Sequence, residues 1–454
     1  MDPSCLFKTL LATNWALFLW DQYITYRQYK VHRDAEKRPE EVKELISDED
    51  YKKARDYNMD NHTFGFLHSW FNQLLTTKSV FLYYFSNLQA QLVGGYFPFL
   101  WYATENFPFH VAVFLSVNTI IETIIDLPFD LYSTFIIEDA HGFNKQTIGF
   151  YFVDKVKKML VGFALTMPIV YGIEWIITNG GPYFYVYIWV FLSVIVLLLM
   201  TIYPTFIAPL FDKYFPLPDG ELKTKIEKLA ESLKYPLTKL YVVNGSKRSA
   251  HSNAYMYGFW KNKRIVLYDT LLSGTEKEKV HKLYVEAGEK IEETENDKKR
   301  GMNNDEVVAV LGHELGHWAL WHTLINLIIT EVNLFFCFAV FAYFYKWDAL
   351  YQAFGYHDTP PIIGMMLVFQ FILALYHQLA HMGQVIHSRS AEFAADEFAA
   401  KLGHGDNLIG ALTKLGVDNL SMPINDSLYS WCVHTHPPVV ERVAAVRAFT
   451  EKKK

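Results

Sequence analysis

At 454 residues the chain has room for roughly two or three domains, yet only 20% of its residues are charged and 17% are aromatic, against about 25% charge in ordinary soluble domains. A net charge of −6 argues against a nucleic-acid partner or a polybasic membrane arm. Three scattered cysteines, Cys5, Cys337 and Cys432, do not make a disulfide framework or a cysteine-built metal site.

In chain order, apolar stretches near the roughly 20 residues that a membrane span needs run from Leu6 to Tyr26, Ser79 to Tyr102, Phe109 to Leu131, Met159 to Ile177, Tyr183 to Ile207, Thr323 to Tyr345 and Pro361 to Ile386. The first continues past any small-residue cleavage site into a basic segment, so it reads as an anchor rather than a signal peptide. The fourth and fifth form a helical hairpin around the turn Asn179-Gly180-Gly181-Pro182. The third carries Glu122, Asp126 and Asp130 on one helix face. That stripe must meet water, protein or a cavity, unless the helix end simply protrudes from the lipid.

Basic residues gather after the first span (Arg27, Lys30, Arg33, Lys37, Arg38), after the third (Lys145, Lys155, Lys157, Lys158) and after the fifth (Lys213). The intervening short loops are nearly free of base, so the positive-inside rule places the N-terminus in the lumen and these basic loops in the cytosol. Residues Asp212 to Trp318 and the C-terminal tail fall on the cytosolic side too. Within them a helix is expected over Asp219 to Leu233, a strand over Lys239 to Val243, and a hairpin over Ala254 to Tyr268 that turns at Trp260 to Arg264. Ser273 to Asn304 is charged and reads as a flexible surface insert with some helix. Asn304-Asp305 then offers an N-cap to a helix from Glu306 to His322, and a second helix is expected from about Ser390 to Leu402. These boundaries divide the chain into residues 1–211, 212–322, 323–388 and 389–454.

The chemistry centres on His313-Glu314-Leu315-Gly316-His317. Two histidines four apart lie one turn above each other on one helix face, where both imidazoles can reach one Zn²⁺. The adjacent Glu314 is placed as the general base that takes the attacking water's proton. With 17 histidines an accidental match is expected in roughly a few per cent of such chains, so the pentapeptide alone leaves open two surface histidines on an ordinary helix. A third histidine six residues on is absent, since Thr323 stands there, and His322 points to another face. Glu392, in Ala391-Glu392-Phe393-Ala394-Ala395-Asp396, is the better third ligand, with Asp396 one turn along as an acceptor that orients a ligating histidine. His436 and Arg442 are candidate oxyanion donors, although histidines beside prolines are usually loop residues. Asn253 begins a strand whose exposed edge suits peptide addition, although packing is the commoner role for the tyrosines that follow it.

Several stretches together resemble the integral-membrane CAAX prenyl protease 1 family of zinc endopeptidases: Glu138-Asp139-Ala140-His141-Gly142-Phe143-Asn144, Ile207 to Lys213, Gly245 to Tyr255, Lys263 to Leu272, the His313–His317 motif, Glu392 to Asp396 and His436-Pro437-Pro438. The resemblance covers nearly the whole chain. It implies an α-helical integral membrane protein with seven transmembrane helices around a water-filled chamber, closed on the cytosolic side by a zincin-like metalloprotease domain. It implies removal of the last three residues of prenylated Cys-a-a-X proteins, with a second upstream cut made by some members, and residence in the endoplasmic reticulum and inner nuclear membranes. It also implies one Zn²⁺ per chain on His313, His317 and Glu392, Glu314 as base, His436, Arg442 and Asn253 as substrate or transition-state contacts, and a proton-donor role for Asp396 where spacing gives an orienting one. Two segments depart from the pattern: Ser273 to Asn304, and Ala374 to Ser390 with His377, His381 and His387. The alternative enzyme is a quality-control protease of the related HtpX type, which has fewer spans, and a different class would be a catalytically silent membrane scaffold or transporter.

Overall fold

The computed structural model describes residues 2–77, 107–258, 262–289 and 293–451. The expected second span, and Trp260 and Lys261 of the expected hairpin turn, lie outside them.

Long helices open the chain: α1 (Pro3–Asp34), α2 (Asp48–Thr77), α3 (Phe107–Tyr132), α4 (Ile148–Asn179) and α5 (Phe184–Ile202). After the sheet come α9 (His322–Phe344), α10 (Pro361–Leu367) and α11 (Ala374–Ala399). Among the described residues α4, the stretch Gly181–Leu210 containing α5, and α9 are long and apolar enough to cross a membrane. The expected last span is not straight: its two halves, Pro361–Ile372 and Ala374–Asp418, meet at a bend of 63°. The break falls where a wide turn at Val368–Ile372 closes on Leu373, and α11 then continues as one helix through Ser390, where separate elements were expected. The first and third expected spans lie within α1 and α3.

Apolar side chains of α1, α4, α5 and α9 pack on the segment from Leu350 to Leu373, around Phe184, Ile188, Phe338, Phe341, Tyr351 and Phe371. Val190, Val194, Leu198, Ile328 and Val332 stay exposed, as lipid-facing positions do. The acidic stripe of α3 turns to protein for two of its members: Asp126 lies 3.4 Å from His68 of α2, and Asp130 pairs with Lys155 of α4. Glu122 takes a hydrogen bond from Asn118 on its own helix.

The remaining unit is a four-stranded sheet with helices on it. Strands β1 (Tyr214–Pro216), β2 (Leu237–Val243), β3 (Ala254–Tyr257) and β4 (Lys263–Tyr268) run in the order β1-β2-β4-β3. Only β2 and β4 are parallel. The connection from β2 to β3 leaves β3 at the edge, with one side of its backbone unpaired among the described residues. Helices α6 (Glu221–Ser232), α7 (Gly274–Glu286) and α8 (Asn304–Ala319) share one core with the sheet, built from Leu222, Ile226, Ile265, Leu267, Leu311 and Leu315 among others. The expectation for Ser273 to Asn304 is corrected here. Val280 and Tyr284 of α7 and Met302 are buried in that core, because the apolar residues of this charged stretch recur at helical spacing on one face.

The segment after α11 contributes α12 (Gly405–Asp418), α13 (Ser427–Val433) and α14 (Val439–Glu451). It is tied back to the N-terminal half: Arg27 of α1 pairs with Asp426 at 3.0 Å, and Asn58 of α2 donates to the Leu420 carbonyl. The loop after α3 pairs with the lead-in to β3 through an isolated bridge between Asn144 and Ser249. Arg248, in that same lead-in, is held by Asp154 and Asp212 at 2.8 and 2.7 Å. The basic loops expected on one side of the membrane therefore do touch the sheet unit.

Candidate active site

Helix α8 starts two residues earlier than the expected Glu306, its cap being Asn303, in a capping box where Asn303 accepts from the Glu306 N–H and Glu306 accepts from the Asn303 N–H. Its first turns, Val307 to Leu311, are buried and fix the helix under the sheet. On the opposite side Gly316 lies against α11, where a Cβ would come within 3.2 Å of the Ala395 Cα. That absence of a side chain, with Ala391, Ala395 and Ala399 facing it, lets the two helices approach closely enough for their polar side chains to meet.

The result is a three-donor cluster. The Nε2 atoms of His313 and His317 are 3.1 Å apart. Glu392 oxygens lie 3.5 Å from His313 Nε2 and 3.3 Å from His317 Nε2. One donor atom from each of the three residues falls within 4.8 Å of the others. Oε2 of Glu392 is buried without a hydrogen bond, although Arg442 Nη1 stands 3.2 Å away at ion-pair distance. Two imidazole nitrogens and a carboxylate with an oxygen to spare are the donor set of an open, tetrahedral metal site, so these residues fit a metal ion. Such an ion supplies Lewis-acid polarisation of a carbonyl and of water.

Behind the cluster, Asp396 is fully buried and does not face the cavity. It accepts from His313 Nδ1 at 2.8 Å, and from Arg442 Nε and Nη2 at 2.8 and 2.7 Å. Fixing the proton of His313 on Nδ1 leaves Nε2 as the free donor toward a metal. Burial alone would raise both carboxylates. The bonds from His313 and His317 and the charge of Arg442 instead hold Glu392 well below the ordinary range, and Arg442 and His313 do the same for Asp396. His313 is pushed down by burial but held up, to about 9, by its bonds to Asp396 and Glu392. Glu314 is raised, chiefly by burial and also by the charge of Glu392, which suits a base that must pick up a proton.

The cavity in front has a volume of about 600 Å³. Glu314, His317, Glu392 and Arg442 line it, as do Asn253 and Ala254 at the start of the edge strand. His436 is mostly exposed, with Nε2 3.3 Å from Glu392 Oε1. The candidate metal ligands, Glu314, Arg442, His436 and Asn253 therefore border one cavity, with Asp396 behind it. One reading is corrected. His322 does not point away, because α8 ends at Ala319 and Trp321 adopts a left-handed conformation (φ 62°), so α9 starts with His322 turned back, its Nδ1 2.9 Å from His317 Nδ1. Arg389 was missed. Buried on α11 one turn before Glu392, it bonds Ser430 and Glu441 at 3.0 and 2.6 Å and so fixes the segment that carries His436 and Arg442. Its position three residues before Glu392 was the available signal.

Apolar helices long enough to cross a membrane and a His-His-Glu cluster on two helices packed beside a small sheet define a multi-pass membrane metalloprotease. Residues 216–450 match the model of peptidase family M48, and residues 28–213 match that of the CAAX prenyl protease N-terminal region with its five membrane helices. Among curated proteins the chain is 85% identical to the CAAX prenyl protease 1 homolog of Caenorhabditis elegans, over 100% of both chains. It is 40% identical to the Homo sapiens homolog, over 98% of this chain and 96% of that one. The crystal structure of S. mikatae Ste24p superposes with a TM-score of 0.84 at 32% identity, covering 97% of this chain and 98% of the other. The chain belongs to the CAAX prenyl protease 1 group of peptidase family M48.

Proposed function

We propose that the protein is a zinc-dependent endopeptidase that cuts prenylated Cys-a-a-X proteins after the modified cysteine and releases the last three residues. The observation that carries this is the His313, His317 and Glu392 cluster, with Glu314 beside it, at the wall of a cavity bordered by an unpaired strand edge. The relatives named for this activity support the substrate class. His313, His317 and Glu392 hold the zinc, one ion per chain. Glu314 removes the proton of the attacking water. Asp396 acts by orienting His313 and Arg442 rather than by donating a proton, since it is buried away from the cavity. His436 and Arg442 stabilise the developing oxyanion, and Asn253 with β3 receives the peptide backbone.

The direct test is a farnesylated Cys-a-a-X peptide with the full-length protein in detergent. Release of the tripeptide, its loss on treatment with a chelator and its return with zinc are expected. Cleavage that survives thorough chelation would remove the metal from the mechanism. Orientation is part of the same proposal: the protein sits in the endoplasmic reticulum and inner nuclear membranes, N-terminus in the lumen and active site in the cytosol. A glycosylation acceptor appended before Met1 is then expected to be modified and one appended after Lys454 to stay bare. The opposite pattern would reverse the assignment.

A further inference from the structure

The cavity extends beyond the metal cluster: its wall also includes His434, Gln28 and His32 of α1, and Asn58 and His62 of α2. Among the described residues its only lining carboxylates are Glu314 and Glu392, both at the metal cluster. The far end offers histidines and amides with no acid to balance them.

His32 is engaged at both ring nitrogens, with Nε2 also 2.8 Å from Gln28 Nε2. Gln28 is fixed, with its Oε1 accepting from the Asp426 N–H and its Nε2 donating to Asn425 Oδ1, both at 2.7 Å. His32 Nε2 lies 3.1 Å from the Ile424 carbonyl, and His32 Nδ1 lies 3.1 Å from His62 Nε2. That spends one nitrogen of His62. On the other flank His434 Nδ1 is buried with no hydrogen-bond partner among the described residues. The groups facing His32 are His62 and Arg55 from α2 and His434 from the segment after α13, all cationic or able to become so. Burial first, then His62, pushes His32 down to about 4. Burial likewise depresses His62, and burial with Arg389 depresses His434. Three imidazoles are thus held neutral around a space that an anion would relieve.

We propose that His32, His62 and His434 form the subsite for the free C-terminal carboxylate of the peptide substrate. This rests on the prenyl-protease reading, in which the substrate ends three residues beyond the cut. Three extended residues span about 10 Å. His434 is two residues from His436, whose ring reaches Glu392, so the two lie at most about 7 Å apart along the chain. His32 is close enough to His434 to feel its charge and touches His62 at 3.1 Å, all three on the wall of one cavity, so a tripeptide tail is long enough to bring its carboxylate to this group. A carboxylate there favours the protonated imidazoles, so binding takes up protons and strengthens as the pH falls toward 6.

The test measures binding to full-length Glu314→Gln protein, which should hold substrate without consuming it. Two farnesylated Cys-a-a-X peptides are compared, one ending in the free acid and one in the amide. The acid is expected to bind at least about tenfold tighter. Its advantage should grow from pH 8 to pH 6, with net proton uptake seen by calorimetry in two buffers. In His62→Gln/His434→Gln on the same background the acid and amide should bind within about twofold of each other, with amide affinity unchanged as the sign of an intact cavity. His62→Gln alone, which keeps more of the packing, should lose part of the preference. Equal affinities in the parent, or a preference that survives the double substitution, would overturn the subsite. If the wild-type protein cuts the acid peptide but the parent variant ignores its terminus, only this subsite fails. If the wild type does not cut it and neither peptide binds, the prenyl-protease reading fails with it.

Discussion

Glu314→Gln is expected to keep the metal and lose turnover, whereas Glu392→Ala is expected to lose the metal. The two residues sit side by side at the cavity wall but stand in different relations to the donor cluster. Glu392 contributes an oxygen within reach of both His313 and His317 Nε2, while Glu314 contributes none. An amide in place of Glu314 preserves volume but cannot take a proton, which removes a factor of about 10² to 10⁴ from the rate and more if no other base substitutes. Removing Glu392 strips one of three protein ligands and leaves Arg442 and His436 facing a hole, so metal affinity falls along with activity. Metal content by elemental analysis, beside peptide turnover, separates the cases. Full metal in Glu392→Ala, or an empty site in Glu314→Gln, would reverse the assignments.

The parts of the site that were legible in the sequence share one property: they depend on local spacing. His313 and His317 meet because four residues make about one helical turn, and Glu392 and Asp396 share a face for the same reason. Asn253 at an edge was legible from the strand pattern around it. What escaped depended on where elements break. His322 was turned the wrong way because nothing in Trp318 to His322 announces a left-handed residue at Trp321, which carries a side chain where glycine is usual. The bend between Ile372 and Ala374 was equally silent, since the apolar run continues through it and hydropathy cannot see direction. Ser273 to Asn304 misled for another reason. Its charge outweighs its few apolar residues in composition, yet Val280 and Tyr284 on one face are enough to dock a helix. The long helix α2 went unread because it is neither apolar enough for a span nor strongly two-faced, and it owes its place to ties such as Tyr57 to Glu138 at 2.6 Å.

A farnesylated Cys-a-a-X peptide is expected to be cleaved with a kcat/KM at least about a hundredfold above that of its unprenylated twin. The metal cluster and Glu314 act on a peptide bond and carry no preference for a lipid, so selectivity must come from binding elsewhere. The substrate's cysteine lies at the cut, and the unit that cuts is built on helices continuous with the membrane part: α8 is followed at once by the apolar α9, and α11 rises from the bent span to Glu392. A prenyl chain on that cysteine therefore has apolar helix faces within reach. Each buried methylene contributes about 0.8 kcal/mol, so burying even four of them gives about 3 kcal/mol, or a factor of about 10² in affinity. Because the chain is held alike in the ground and transition states, the gain should appear mainly in a lower KM, with kcat changed little. Micelles compete for the same lipid, so the ratio is to be measured in liposomes as well as in detergent. Equal kcat/KM for the two peptides in both settings would show that the lipid is not recognised, and the chemistry at His313, Glu314, His317 and Glu392 would then serve a broader membrane quality-control protease.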